Sequence, residues 1–290
     1  MREFKLYSDS TSDLPNEIVE EYGIKVIPTE VFLYDNRYLD YPDEHELKKK
    51  DFFKAVREGA TPTTAVIPPS RFYEYFEQDV KDGYDILYIV FSSGLTTTRQ
   101  NALIACEDLK EVYKDCKIVV VDSLSASLGE GLLVYYAAKL MRQGKSMEEI
   151  RDWVESIRLK LCHWFTVDDL QHLRRGGRIS ATAATVGGVL GIKPIINISN
   201  DGVLEAVDKV RGRKAALDYL ANRVKKEAVD PGEHTIFIVH ADCEDDCMYL
   251  KQQIEKEMEF KEILIGVMGP VIGAHTGPGA VGLVYIGESR

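Results

Sequence analysis

The sequence has few cysteines and none in a paired motif. Its five cysteines are an odd number, and no CxxC unit occurs. That excludes the disulfide framework of a small secreted domain and the usual spacing of a structural zinc site. Cys106 and Cys116 flank the end of a predicted helix, Cys162 stands beside His163, and Cys243 and Cys247 follow His240 in a charged segment. These read as buried or incidental thiols. A Cys243–Cys247–His240 metal site is the sharper alternative, and the expectation is no metal. Positive charge is in deficit: 36 Lys and Arg against 47 Asp and Glu give a net charge of -11. No basic cluster exceeds short runs such as Lys48-Lys49-Lys50 and Arg174-Arg175, so nucleic acid and anionic membrane surfaces are excluded as main partners. No apolar run approaches the ~20 residues that span a bilayer, and no apolar signal core follows Met1. The expectation is a cytoplasmic protein with no stable membrane insertion. Neither G-x-x-x-x-G-K-S/T nor G-x-S-x-G is present, so the phosphate loop and the hydrolase nucleophile elbow both lack their signatures.

What the chain does contain is a large core and a repeated grammar. Hydrophobic residues make up 45% and charged residues 29%, the balance of a folded globular chain. At about 150 residues per domain, the length points to two domains. Residues Asp85 to Asn101, DILYIVFSSGLTTTRQN, hold the central pattern. A buried-strand run, Ile86 to Phe91, breaks at Ser92-Ser93-Gly94, and a helix is predicted from Thr97 to Tyr113. Such a turn presents free helix N–H groups and hydroxyls to an anion. It also reads as an ordinary strand–helix connection with Ser and Thr as caps. The same grammar recurs after Phe4–Tyr7, at Ser8 to Asp13, and after Lys117–Val121, at Asp122 to Ser127. Three strands that each end in a Ser- and Asp-rich turn before a helix predict a parallel sheet with its ligand edge at the strand carboxyl ends.

From Cys162 the grammar changes. Short strands, the hairpin signal Asn200-Asp201-Gly202 and helices alternate, and a Gly-rich stretch from Gly269 to Gly279 reads as a loop. The expected fold class is therefore α/β with two domains. Residues 1–160 form a parallel-sheet, Rossmann-like α/β domain, and residues 161–290 form an α+β domain with an antiparallel or mixed sheet, with the ligand between them. The stretch Thr61 to Ser70 carries three prolines. It is read as neither helix nor central strand, but as a loop that lines something.

His275, in GAHTGPG, is the histidine best placed for function, because the surrounding glycines let the backbone come close to a ligand. Bonding a loop carbonyl is its plainer role. Serine plus histidine invites a Ser-His hydrolase of lipid or ester substrates, with Ser93 as nucleophile, His275 as base and Asp122 or Asp9 as orienter. Without the elbow motif, the hydroxyls, helix N–H groups and histidine suit holding a carboxylate better. Asp9 either orients a neighbouring loop or ligand, or caps its own turn.

The segments DSTSDLP, PTTAVIPPSRF, FSSGLTTTRQNA, VVDSLSASLGEG, FTVDDLQHLRRGGRIS, LGIKPIINISNDG and GAHTGPGAVGLVYIG, in this order across essentially the whole chain, resemble the DegV family. The resemblance implies a two-domain α/β protein that buries one long-chain fatty acid between its domains. It is similar to the fatty-acid-binding subunit of bacterial fatty acid kinase, which is not catalytic itself, needs no cofactor, and presents the carboxylate to a separate ATP-dependent kinase subunit. The resemblance further implies that Thr64, with Thr63 as its neighbour, Ser93 with Gly94, and His275 bind the carboxylate. It implies that Arg178 and Arg211 meet the kinase and that Asp9 supports the site. The sequence departs from the family pattern at Thr97, where many members have Gly, and at Ala65, where many have Ser or Thr. Tail-lining side chains would come from the small and aliphatic stretches Ala181 to Leu190 and Ile192 to Ile198, which also read as plain core. A sensor whose domains shift on ligand binding is a third reading.

Overall fold

The computed structural model of the chain describes residues 2–179 and 191–290. The first half runs β1 (Phe4–Asp9), α1 (Asn16–Tyr22), β2 (Lys25–Ile27), β3 (Glu30–Leu33), β4 (Asn36–Leu39), α2 (Lys49–Arg57), β5 (Thr63–Ala65), α3 (Pro69–Lys81), β6 (Asp85–Val90), α4 (Thr98–Val112), β7 (Ile118–Asp122), α5 (Leu128–Arg142) and α6 (Met147–Ile157). The second half adds β8 (Leu161–Thr166), α7 (Gln171–Arg175), β9 (Ile192–Ile198), β10 (Leu204–Arg211), α8 (Arg213–Glu227), β11 (Thr235–His240), α9 (Glu244–Glu255), β12 (Glu262–Val267), α10 (Pro270–Thr276) and β13 (Val281–Ile286).

The strands β2-β1-β6-β7 form a parallel four-stranded sheet. Helices cover both faces, so the central strand β6 is a continuous apolar run with no polar alternation, as a doubly covered sheet requires. From β1 the chain goes outward to β2, then returns to place β6 on the other side of β1. The carboxyl ends of β1 and β6 therefore flank a topological switch point, the usual position of a ligand crevice. The second sheet is mixed and six-stranded, in the order β10-β9-β8-β13-β11-β12, with only β11 and β12 parallel. Its β9–β10 hairpin turns at the expected Asp201-Gly202, with Gly202 at φ 72.

One helix joins these layers. Helix α5 packs on β1 and β6 of the first sheet and on β11 and β13 of the second. Its residues from Leu128 to Tyr135 are all buried, the signature of a helix with core on every side. A single hydrophobic core consequently runs from Leu6 and Leu87 through Leu132 to Phe237 and Val284. A second core lies on the far face of the six-stranded sheet, under α8 and α9.

Two local expectations change. Thr63–Ala65 is not bare loop but an edge strand, antiparallel to β3, in a small sheet β4-β3-β5. The edge tolerates the stretch because Pro62 and Pro68 fall outside the paired residues. The Gly269–Gly279 stretch is mostly helix α10, opened by Pro270 and ended at Gly277 with φ 72. Its interior glycine, Gly273, is needed for packing, since an added Cβ would lie 2.8 Å from the rings of Phe52 and Phe53. The first hairpin turns at Tyr34-Asp35, because Asn36 is already paired with Leu33. Pro15 caps α1. The stretch from Ala181 to Leu190, expected to line the tail, lies outside the described residues.

Candidate ligand-binding site

A cavity of about 150 Å³ lies between the two larger sheets. The first half contributes Thr64, Ala65 and Val66 from the end of β5, Phe91, Leu95 and Thr96 from the turn after β6, and Leu128 from α5. The second half contributes Phe165, Ile198, Leu204, Val239, Ile272 and His275. The walls are mainly apolar, with a few convergent polar groups, as in small-molecule sites generally.

The polar end is built from β5 and α10. Thr64 Oγ1 and His275 Nε2 are 3.0 Å apart, across 211 residues of sequence. Thr64 is held there by pairing with Val31 of β3, and His275 by the last turn of α10. The ring is seated against Gly176, where any added Cβ would strike Nδ1. Burial, and then the nearby Arg178 guanidinium, push the His275 pKa down to about 4, so the ring is neutral at pH 7. Its Nδ1 has no hydrogen-bond partner among the described residues. In the neutral ring, the tautomer protonated on Nε2 donates to Thr64 Oγ1. The Thr64 hydroxyl proton is then free to point at a ligand. Arg178 also lines the cavity, and its Nη1 donates to the Gly176 carbonyl at 2.7 Å.

The turn after β6 is arranged differently from the sequence expectation. Ser93 is exposed, lies off the cavity lining, and donates its N–H to Asp122 Oδ1 at 3.2 Å. Gly94 is exposed too, and sits against the β9–β10 hairpin, where an added Cβ would lie 2.5 Å from the Asp201 carbonyl oxygen. The hydroxyl that reaches the lining is that of Thr96, which bonds Thr98 Oγ1 at 2.9 Å. Ser92 takes a docking role, donating to the Gly202 carbonyl at 2.7 Å and so tying the first half to the second. Thr63 is exposed and lies off the cavity lining, whereas Thr64 lines it. Thr97 has φ -88, a conformation open to any residue, so its departure from Gly costs no backbone strain. Ala65 lines the cavity.

The hydrolase arrangement does not assemble. Ser93 is outside the cavity, His275 bonds Thr64, and Asp122 receives the backbone N–H groups of Ser93 and Leu124. Asp9 is fully buried at the switch point, off the cavity lining. It accepts from Tyr88 Oη at 2.7 Å and from the N–H of Thr11 at 3.1 Å and of Phe91 at 3.5 Å. Thr11 and Phe91 line the cavity, so Asp9 positions the wall without touching a ligand. Glu130, missed in the sequence, joins this network through Ser8 and Thr11. Burial pushes both carboxyls up, which favours their protonated forms. Arg211 is exposed at the end of β10. Among the described residues no group of three His, Cys, Asp or Glu side chains is placed to hold a metal, and His240 Nδ1 instead accepts from the Cys243 N–H at 3.3 Å. No described helix is long and apolar enough to cross a membrane.

A model of the DegV family, described as "Uncharacterised protein, DegV family", matches residues 3–288. The chain belongs to the DegV family. A DegV domain-containing protein of Clostridium perfringens is 44% identical over 290 residues, covering 100% of this chain and 99% of that one. Among solved structures, a DegV family protein from Thermus thermophilus, reported for its fatty acid binding, superposes with TM-score 0.88 at 31% identity, covering 99% of this chain and 100% of that chain. DegV from Bacillus subtilis, a fatty acid binding protein, gives 0.85 at 28% identity, with 99% and 100% covered. These likenesses extend over both sheets, so the DegV fold of this chain is the α/β arrangement of a parallel and a mixed sheet described above.

Proposed function

We propose that this chain binds one long-chain fatty acid in the cavity between its two larger sheets and acts as a carrier. The observation that carries the reading is the Thr64–His275 pair at the polar end of an apolar cavity lined by both halves. A carboxylate leaving water needs hydrogen-bond donors. Thr64 donates directly, with its acceptor side occupied by His275, and Thr96 and Arg178 are further donors on the lining. Thr96 takes the place that the sequence assigned to Ser93 and Gly94. The acyl tail contributes roughly 0.8 kcal/mol per buried CH₂, so the apolar walls supply most of the affinity and the polar end sets orientation. Fatty acid binding by DegV relatives from Thermus thermophilus and Bacillus subtilis supports the same ligand class.

In the same reading, residues 1–160 and 161–290 are two domains, the compartment is the cytoplasm, and an ATP-dependent kinase subunit phosphorylates the presented carboxylate. Arg211, exposed on the β10 end, and Arg178 at the cavity are the residues that meet it. Denaturing mass spectrometry of purified protein tests the ligand: a long-chain acid is expected, and its absence, together with no binding of added fatty acids, overturns the proposal. Arg211→Ala is expected to keep fatty acid binding and lose kinase-dependent acyl phosphate. If acyl phosphate forms as before, Arg211 has no part in the kinase encounter.

A further inference from the structure

Glu130 is fully buried and lies off the cavity lining, so a ligand never meets it. It stands in the first turn of α5, across from Asp9 at the end of β1. One hydroxyl joins the two carboxyls: Thr11 Oγ1 bonds Asp9 Oδ1 and lies 3.1 Å from Glu130 Oε2. Both carboxyls are fully buried, and among the described residues neither has an ion pair with Lys, Arg or His. Two like charges this close, without a cation, cannot both persist out of water. The pair therefore holds a proton.

The hydrogen bonds decide which carboxyl holds it. Each Asp9 oxygen accepts a backbone N–H, Oδ1 that of Thr11 at 3.1 Å and Oδ2 that of Phe91 at 3.5 Å, and Oδ2 also accepts the Tyr88 hydroxyl at 2.7 Å. A backbone N–H only donates, so both Asp9 oxygens must accept. Glu130 is met by hydroxyls instead, Ser8 Oγ at 2.8 Å and Thr11 Oγ1, and a hydroxyl can donate or accept. Thr11 has one hydroxyl proton to give. Given to Asp9, it leaves the Thr11 oxygen as acceptor for a proton carried on Glu130 Oε2. Burial, and then the Asp9 charge, push the Glu130 pKa well up, in the same direction. Thr11 belongs to the single helical turn Ser10–Ser12, and that turn meets the binding site at three points. Thr11 lines the cavity, and Ser10 Oγ accepts the N–H of Thr29, another lining residue, at 3.0 Å. Asp13, just after the turn, accepts the Gly269 N–H at the head of α10, the helix that carries His275, at 2.7 Å.

We propose that Asp9 and Glu130 form a one-proton dyad, Asp9 ionised and Glu130 protonated, and that Glu130 is a positioning residue which holds the Ser10–Ser12 turn, and through it α10 and His275, in binding geometry. Its effect on ligand affinity rests on the fatty-acid reading above, whereas the proton and the placement of His275 do not. Glutamine copies a protonated glutamic acid, with an N–H donor for Thr11 and a C=O acceptor for Ser8. In the infrared spectrum of the full chain at pH 8, a component of the protonated-carboxyl C=O stretch is expected to disappear in Glu130→Gln. By NMR, His275 is expected to titrate near pH 4 in the wild type and in Glu130→Gln, and to move up toward 6.5 in Glu130→Ala. Stripped of lipid, Glu130→Ala is expected to bind octadecanoic acid about tenfold more weakly than the wild type, and Glu130→Gln within about twofold of it. An infrared component unchanged in Glu130→Gln places the proton elsewhere and overturns the proposal. So does a glutamine variant that behaves like alanine, or an alanine variant that leaves the His275 titration where it was. If Glu130→Ala does not fold, the infrared component and the His275 titration of Glu130→Gln decide. Octadecanoic acid that fails to bind even the wild type removes the fatty-acid reading, and the infrared and His275 results then decide this one without it.

Discussion

Thr64 and His275 behave as one donor unit, because each determines what the other can do. The imidazole is neutral, and in the tautomer that gives its Nε2–H to Thr64 the threonine hydroxyl has one remaining role, to donate. Thr64→Ala is expected to weaken fatty acid affinity by more than about tenfold, the usual loss for a hydrogen bond to a charged group, as read by calorimetry. Thr96→Val should cost about fivefold, whereas Ser93→Ala should stay within about twofold. Reversal of that order would return the carboxylate to Ser93. Because the Thr64–His275 pair stays neutral in this range, affinity should be flat between about pH 6 and 8. The native His275 pKa of about 4 is below its unfolded value near 6.5. Between those values the unfolded chain binds a proton that the native chain does not, so this residue lowers stability as pH falls through the window. An imidazole titration near pH 4 by NMR checks the assignment. Thr64 and His275 were readable in the sequence because proline and glycine mark the two stretches. Which hydroxyl of Ser92-Ser93-Gly94-Leu95-Thr96 faces inward was not, since that depends on how the turn docks against Gly202.

At the scale of elements, α10 depends on carboxyl groups from the first half. Asp13 Oδ1 accepts the Gly269 N–H at 2.7 Å, and Asp40 Oδ2 accepts that of Val271 at 3.4 Å. Both side chains are buried beside Lys49 and Gly269. Burial, then the charge of Asp13, pushes Asp40 up to about 8, with Lys49 pulling the other way. Burial likewise pushes Asp13 up to about 6. In the unfolded chain Asp40 titrates near 3.9. From about pH 4 to 8 the native chain thus holds a proton that the unfolded chain releases, and stability falls as pH rises. Asp40→Asn keeps an acceptor for Val271 without the charge. Its melting temperature is expected to equal that of the wild type near pH 4 and exceed it by a few degrees at pH 8; a constant difference across that range would show that Asp40 does not titrate there. The helix itself was illegible as a helix. Glycine content argued for a loop, and the reason the helix accepts Gly273, two phenylalanine rings, lies more than 200 residues away. By contrast, the capping box of α6 joins Ser146 and Glu149 within one turn, a purely local device.

The whole molecule was legible as architecture, since a repeated strand–turn–helix grammar specifies a parallel sheet, and a hairpin signal marks the change to a mixed one. What the sequence hid is that one core runs through α5 into both sheets. A cavity at that junction makes the ligand part of the packing. Adding fatty acid at about 100 times its Kd should stabilise the chain by about 2.7 kcal/mol, with both sheets unfolding together in circular dichroism and near-ultraviolet scans. Two separate transitions, of which only one responds to ligand, would mean that the halves are not coupled through the cavity.

Helix α10 is fastened to the first half at both ends, by Asp13 and Asp40 at Gly269 and Val271 and by Thr64 at His275. The two fastenings share seven residues of rigid helix, so loosening one strains the other. Entry of a ligand between the sheets then waits on an opening event with its own rate constant. In stopped-flow mixing, the observed rate of uptake should climb with fatty acid concentration only until it meets that constant and then level off. Asp40→Ala, which removes one fastening, should raise the plateau.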